Sequence, residues 1–124
     1  MNGLERWHHV MKDGNMEALY DLLHPDCVFI SPVVHTPQEG REITYAYLRA
    51  ANKALSEDFQ YVREVVQDNH AVLEFTVKVD GIFVNGVDII TFEGDQIVEL
   101  KVMVRPLKAV NAVWKQMGEM LEQL

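Results

Sequence analysis

The sequence predicts an α+β fold in which a curved antiparallel β-sheet wraps around N-terminal helices, as a cone-like α+β barrel, with a further helix at the C-terminus. Three observations lead to this prediction. Residues 2–56 repeatedly place apolar side chains at steps of three and four, whereas residues 59–105 alternate apolar and polar side chains. After Pro106 the helical spacing returns. The length of 124 residues fits one domain spanning residues 1–124.

Three helices are predicted before residue 57 from the spacing of their apolar residues. Their ranges are Asn2–Lys12, Met16–Leu23 and Arg41–Ser56. Asn15 is a suitable N-cap for the second helix. The second and third helices are separated by a short strand, Cys27–Ile30, and by a loop that two prolines stiffen.

Four strands follow, and consecutive strands are expected to pair in antiparallel fashion. Their ranges are Phe59–Val66, Ala71–Val79 and the two halves of Gly81–Arg105, which a turn at Glu93–Gln96 separates. Two turn signals compete before the last pair, Asp80-Gly81 and Asn85-Gly86. We assign the turn to Asp80-Gly81 and a bulge to Asn85-Gly86, because the strand is then long enough to match its partner.

The C-terminal helix is predicted to bury a continuous apolar seam against the sheet or against a partner chain. The seam residues are Leu107, Val110, Trp114, Met117, Leu121 and Leu124.

Asp88 stands on the apolar face of the last strand pair. Strand side chains alternate between faces, so its companions are Val84, Gly86, Ile90 and Phe92 on its own strand and Val98, Leu100, Val102 and Val104 on the next. Burying an unpaired charge is costly. Three interpretations of Asp88 therefore stay open: an acid or hydrogen-bond donor in a pocket, a buried partner of an arginine, or a structural acceptor.

A sheet that curls around helices leaves a cavity lined by its inner face. We expect the inner-face residues Phe75, Ile90, Leu100 and Val102 to contact a small, largely apolar ligand there. The outer face of the same strands mixes apolar side chains with both signs of charge. A half-exposed sheet with cross-strand ion pairs would tolerate this mixture, and so would the homodimer interface that we predict. Its residues are Val87, Ile89, Thr91, Glu99, Lys101, Met103 and Arg105.

The bulk composition excludes several partners. A net charge of −8 argues against binding to nucleic acid or to anionic membranes, since both need a basic patch. No apolar run approaches the roughly 20 residues of a membrane span. The single cysteine, Cys27, cannot form an internal disulfide, which fits a cytoplasmic protein. The histidines show no metal-ligand spacing, and we predict neither a metal nor a cofactor.

Three segments carry a resemblance to a known family: GNMEALYDLLHPDCVFISP, GREITYAYL and VDIITFEGDQIVELKV. In this order they are similar to the nuclear transport factor 2-like superfamily, in its SnoaL-like branch. That superfamily also holds ketosteroid isomerase and the polyketide cyclases. The resemblance covers nearly the whole chain. It implies that Trp7 occupies the place of an oxyanion-hole tyrosine, Ser31 that of the general-base aspartate, and Asp88 that of a protonated aspartic acid. Trp7, Ser31 and Tyr47 are thereby candidate ligand contacts.

Two functional hypotheses follow. The first is a cofactor-independent isomerase, dehydratase or cyclase acting on an apolar carbonyl or hydroxyl compound, with Asp88 as acid or oxyanion donor. His35, in the proline loop behind Ser31, is the candidate for the missing base or is a loop residue at the cavity mouth. The second hypothesis is a non-catalytic ligand-binding or dimerisation module of the same fold.

Overall fold

The computed structural model describes residues 2–122. It contains four helices, α1 (Gly3–Asp13), α2 (Met16–Leu22), α3 (Arg41–Ala54) and α4 (Leu107–Glu122). The strands are β1 (Leu23–Ile30), β2 (Gln38–Glu39), β3 (Glu57–Gln67), β4 (His70–Val79), β5 (Ile82–Glu93) and β6 (Gln96–Arg105). The predicted α+β class, with helices before the long strands and one after them, is confirmed.

The strands form one curved sheet in the order β2-β1-β6-β5-β4-β3. The predicted sheet was antiparallel throughout, but β1 runs parallel to β6, with Phe29 beside Leu100. Within residues 2–122 the sheet is open, with β2 and β3 at its edges, so the predicted barrel does not close. The β1–β6 pairing joins segments about 70 residues apart, and local sequence patterns carry no sign of it.

The turn between β4 and β5 lies at Asp80-Gly81, as predicted, with both residues at positive φ (52° and 76°). The predicted bulge at Asn85-Gly86 is wrong, because the pairing with β4 and β6 runs through both residues without a shift. The shift comes instead after Thr91, where β5 meets β6. It turns Ile97 into the core in place of Val98.

The concave face of the sheet packs against all four helices in two adjoining apolar clusters. The first lies under α1 and α2 and contains Trp7, Leu19, Leu22, Leu73 and Ile90. The second lies under α4 and contains Phe75, Val77, Val79, Val84 and Val113. Asp88 lies on the strand between these two clusters, flanked by Gly86 and Ile90.

Helix α4 packs on the sheet and on α3, but its buried stripe differs from the predicted seam. The buried residues are Ala109, Ala112, Val113 and Met117. Leu107 and Trp114 are 74% and 64% exposed. The stripe that faces inward contains two alanines, Ala109 and Ala112, whose small side chains suit close packing. Leu124 of the predicted seam lies outside the described residues.

Caps at both ends define where helix α1 begins and ends, and the helix in turn sets the position of the Trp7 side chain. A capping box joins Asn2 and Glu5 at its start, and Gly14 at φ 68° ends it. Gly3 lies directly on the Phe92 ring, with no room for a Cβ atom. The indole of Trp7 is thereby held over the inner face of the sheet. No helix among residues 2–122 has the length and apolar character needed to cross a membrane.

Candidate functional site

A cavity of about 400 Å³ lies between the inner face of the sheet and helices α1, α3 and α4. This volume falls within the range of roughly 300–1,000 Å³ that is typical of small-molecule pockets. Apolar and aromatic side chains line most of the cavity, among them Met11, Phe29, Leu48, Phe59 and Met117. The titratable side chains among its described lining residues are Lys12, Tyr61 and Asp88.

Asp88 lies at the centre of the sheet, opposite Leu73 on β4 and Val102 on β6. It is only 8% exposed. The structure records one hydrogen bond to its carboxyl group from the described residues, and its donor is the Tyr61 hydroxyl, 2.7 Å from Oδ2.

The hydrogen bonds around Tyr61 have a fixed direction. The Trp7 Nε1–H group is a donor only, and it donates to Tyr61 Oη over 3.0 Å. Tyr61 has one hydroxyl hydrogen, and that hydrogen is donated to Asp88. The chain of donors therefore runs from Trp7 through Tyr61 to Oδ2 of Asp88. The other oxygen, Oδ1, remains available to a molecule in the cavity.

Burial raises the pKa of Asp88 from its ordinary value of 3.8 to about 6, although the hydrogen bond from Tyr61 lowers it. No positive charge contributes to this pKa shift. Burial also raises the pKa of Tyr61, and the neighbouring Asp88 raises it further. Tyr61 therefore stays a neutral donor, while Asp88 changes its protonation state near neutral pH.

A family model described as a SnoaL-like domain matches residues 4–100. The chain belongs to the SnoaL-like family. Its match spans the first three helices, β1 to β5 and the first half of β6, and so includes Trp7, Tyr61 and Asp88. No curated protein is similar enough to count as a match.

Several solved structures are similar to this SnoaL-like protein. A steroid delta-isomerase from Pseudomonas aeruginosa is 35% identical, with a TM-score of 0.93 over 98% of this chain and 90% of that one. An uncharacterized bacterial protein with a cystatin-like fold from Silicibacter pomeroyi is 30% identical, with a TM-score of 0.87 over 94% of this chain and 83% of that one. A putative polyketide cyclase from Sinorhizobium meliloti shares the fold, at 19% identity and a TM-score of 0.68 over 81% and 92% of the two chains.

Most residues that the sequence assigned to the site do line the cavity of the SnoaL-like protein. They are Trp7, Ser31, Phe75, Asp88, Leu100 and Val102. Ser31 Oγ accepts a hydrogen bond of 3.1 Å from the Val33 amide, so its own hydroxyl hydrogen is free to point elsewhere.

Three assigned residues lie elsewhere. His35 is exposed in the loop between β1 and β2 and is not part of the cavity lining, so the structure does not bring it to Asp88. Tyr47 is half-buried and packs on the Phe29 ring, with 5.5 Å between centroids. Ile90 is on the same face as Asp88 but is fully buried in the first apolar cluster.

Tyr61 is the hydrogen-bond partner of Asp88 in the candidate site, and the sequence analysis did not identify it. Strand β3 is an edge strand, and most of its side chains are exposed, but Phe59 and Tyr61 are partly buried two positions apart. This spacing of two aromatic residues was the available signal. Among the described residues, no group of three or more His, Cys, Asp or Glu side chains is arranged to hold a metal ion.

Proposed function

We propose that this SnoaL-like protein binds a small, largely apolar molecule whose single polar group, a carbonyl or a hydroxyl, contacts Asp88. One observation carries the proposal: a buried carboxyl group faces an otherwise apolar cavity, and one of its oxygens has no partner among the described residues. Among the described residues, Thr44 Oγ1 is the one fully buried side-chain polar atom without a partner, so Oδ1 of Asp88 is accessible from the cavity. A ligand oxygen can therefore reach it.

The protonation state of Asp88 decides which oxygen group it can hold. When protonated, Asp88 donates from Oδ1 to a carbonyl oxygen; when ionised, it accepts from a hydroxyl. With a pKa of about 6, both states are accessible near neutral pH. The hydrogen bond from Tyr61 keeps the carboxyl group in one orientation in either state.

We further propose a reaction for unsaturated ketones that bind in the cavity. The reaction is an isomerisation, in which a proton moves from one carbon of the ketone to another. In this reaction Asp88 does not hold the carbonyl oxygen: Oδ1 of ionised Asp88 faces the carbon beside the carbonyl and takes a proton from it, and the C–H electron pair passes into an enolate. The same oxygen then returns the proton to another carbon of the enolate, so that no other reactant is consumed. A carboxyl group with a pKa near the working pH is suited to both steps. The 35% identity to a steroid delta-isomerase supports this reaction class.

Ligand binding without turnover is the second candidate. The family resemblance places a general-base aspartate where this chain has Ser31, and Asp88 is the one carboxyl group among the described lining residues. The hydroxyl of Tyr61 and the indole N–H of Trp7 are already used within the protein. Few donors remain for a developing oxyanion, which favours a module that binds without reacting.

The binding proposal is tested with a panel of apolar cyclic ketones and the corresponding alcohols. Trp114 is exposed and is first replaced by Phe, so that Trp7 in the cavity wall is the fluorescent reporter. We expect at least one compound to change the Trp7 emission, and Asp88→Leu to weaken its binding. Asp21→Asn, on the exposed surface of α2, is the control. Binding that is equal in wild type and in Asp88→Leu would rule out Asp88 as the anchor.

Catalysis is tested separately with unsaturated ketones whose double bond can move into conjugation. The product absorbs in the ultraviolet, and Asp88→Asn should abolish the absorbance change. Compounds that bind but remain unchanged would favour the second candidate.

A further inference from the structure

We propose that the cavity also takes apolar amines as their ammonium ions, with the Asp88 carboxylate as the counter-ion. This inference rests on one part of the proposed function, namely that the same cavity binds small molecules. It adds a ligand class that differs in charge from ketones and alcohols.

The first support is the absence of a counter-ion for Asp88 among the described residues. Its one recorded hydrogen bond comes from a neutral tyrosine, and none of the recorded ion pairs includes it. The one basic residue in the described cavity lining is Lys12, whose side chain is exposed at the end of α1. Lys12 lies five residues beyond Trp7, which is about 7.5 Å along a helix axis.

A bound ammonium ion matches the geometry of the carboxyl group. Oδ2 already accepts the hydrogen of Tyr61, so the ligand must reach Oδ1. An ammonium group has only donors, which suits an ionised acceptor. A hydrogen bond between two charged groups is roughly twice as strong as one between neutral groups. An alcohol supplies the donor without the charge.

Aromatic side chains of the cavity wall add a second source of attraction for a cation. Phe59 and Phe75 stack with 5.3 Å between their centroids, and Tyr61 meets the Phe59 ring edge-on at 5.0 Å. All three rings line the cavity that contains Asp88. Aromatic rings attract cations through their quadrupole, and the attraction is stronger where the pair is desolvated.

Charges beyond the cavity wall also favour the binding of a cation. Helices α1 and α3 end beside the cavity. Helix C-termini carry partial negative charge, which Lys12 and Lys53 in the last turns offset in part. The net charge of −8 also attracts cations from solution.

The experiment compares adamantylamine with adamantanol, two probes with the same apolar cage that differ in charge. Binding is measured by calorimetry for the wild-type chain, for Asp88→Asn and for the surface control Asp21→Asn. We expect wild type and the control to bind the amine about tenfold more tightly than the alcohol, a ratio set by one charge-assisted contact. In Asp88→Asn, which keeps the shape of the side chain but not its charge, the preference should vanish.

A second measurement needs no variant. Lowering the pH from 8 to 5 protonates Asp88, so the fraction able to hold an ammonium falls and the amine affinity should drop by about tenfold. The other titratable groups near this network are Tyr61, Lys12 and the His8–Glu64 pair, whose side chains are 2.6 Å apart. Adamantanol controls for their influence on the cavity, and its binding should change little, because a hydroxyl donates to the ionised carboxylate and accepts from the protonated carboxyl group.

Equal affinities of the two probes in wild type, or a preference that survives in Asp88→Asn, would overturn the amine inference. Failure of both probes to bind would overturn it as well. If ketones and alcohols still bind through Asp88, the proposed function stands without it. If those compounds also fail, the proposed function falls too.

Discussion

Asp88 is buried at a cost in stability, and no ion pair with residues 2–122 offsets this cost. Its pKa is about 6 in the folded protein, against an ordinary value of 3.8. The folded state therefore binds more protons than the unfolded state between these two values. Stability is lost as the pH rises through this window, and the full penalty, about 3 kcal/mol, applies above pH 6. A residue kept at such a cost is a candidate for function.

Asp88→Asn should remove this penalty and keep an acceptor for the Tyr61 hydroxyl. Its gain in unfolding free energy over wild type should grow by about 2 kcal/mol between roughly pH 4.5 and pH 8. Asp88→Leu should gain less, because it leaves the buried Tyr61 hydroxyl without an acceptor. Urea unfolding at the two pH values measures both differences. A large loss of stability in both variants at pH 8 would mean that Asp88 is a structural acid.

Tyr61→Phe should leave two buried groups without partners, the Trp7 indole N–H and Asp88 Oδ2. We expect a loss of about 1–3 kcal/mol in unfolding free energy. The pKa of Asp88 should also rise further, because the hydrogen bond that lowers it is gone. Carbon NMR titration of the Asp88 carboxyl group measures the midpoint.

Tyr45→Phe is the matched control for that experiment, since the structure records no hydrogen bond of its hydroxyl with the described residues. It should leave both the stability and the Asp88 midpoint nearly unchanged. An unchanged midpoint in Tyr61→Phe would contradict the role given to Tyr61.

The same residues show what the sequence can and cannot predict about the site. Alternation along β5 placed Asp88 and Ile90 on the inner face, because a strand fixes the direction of each side chain. The alternation did not show whether Asp88 or Ile90 borders the cavity, since that depends on where α1 and α2 pack. Tyr61 was missed because its partner Asp88 is 27 residues away on a strand that is not its neighbour. We assigned His35 to the site because it follows closely after Ser31 in the sequence. Closeness in sequence does not fix where the side chain of a loop residue lies.

At the scale of elements, the helices and the four long strands follow from local patterns, while the contact of β1 with β6 depends on the whole chain. The inner face of β5 also needs a residue without a side chain. A Cβ atom at Gly86 would lie 2.8 Å from the Met103 carbonyl oxygen and against the Phe75 ring, which lines the cavity. Gly86 is therefore needed because the Phe75 ring occupies the space where a Cβ atom would lie. It is not needed for a backbone conformation that only glycine adopts.

Gly86→Ala should therefore destabilise the protein by about 1–3 kcal/mol through overpacking, and should disturb the cavity wall at Phe75. Gly118→Ala provides the contrast, because a Cβ atom there meets nothing within 4 Å on the exposed side of α4. It should stabilise the protein by up to about 1 kcal/mol, the usual difference between the two residues inside a helix. Thermal and urea unfolding of both variants test the pair. Equal effects of the two substitutions would contradict this account of Gly86.

At the scale of the whole molecule, the outer face of the sheet exposes a group of neighbouring apolar side chains. Val65, Val72 and Ile89 form one row across three strands, with Val87 and Met103 in the next. Val65 and Met103 are 56% and 54% exposed. Charged groups border these rows, including the Arg63–Glu74 pair at 3.3 Å. An apolar centre with a charged rim is the usual arrangement of an interface between proteins.

We predict that this face joins two copies of the chain about a two-fold axis, with the cavities on the far side of each sheet. Light scattering at micromolar concentration should give about twice the monomer mass of 14.2 kDa. Met103→Glu should yield monomers, because two-fold symmetry places the new charge in the apolar part of the interface twice, once from each copy. Trp114→Glu changes an apolar residue on α4 that is also more than half exposed, and it should leave the dimer intact. A wild-type mass near 14.2 kDa would exclude the dimer, and dissociation by Trp114→Glu alone would move the interface to α4.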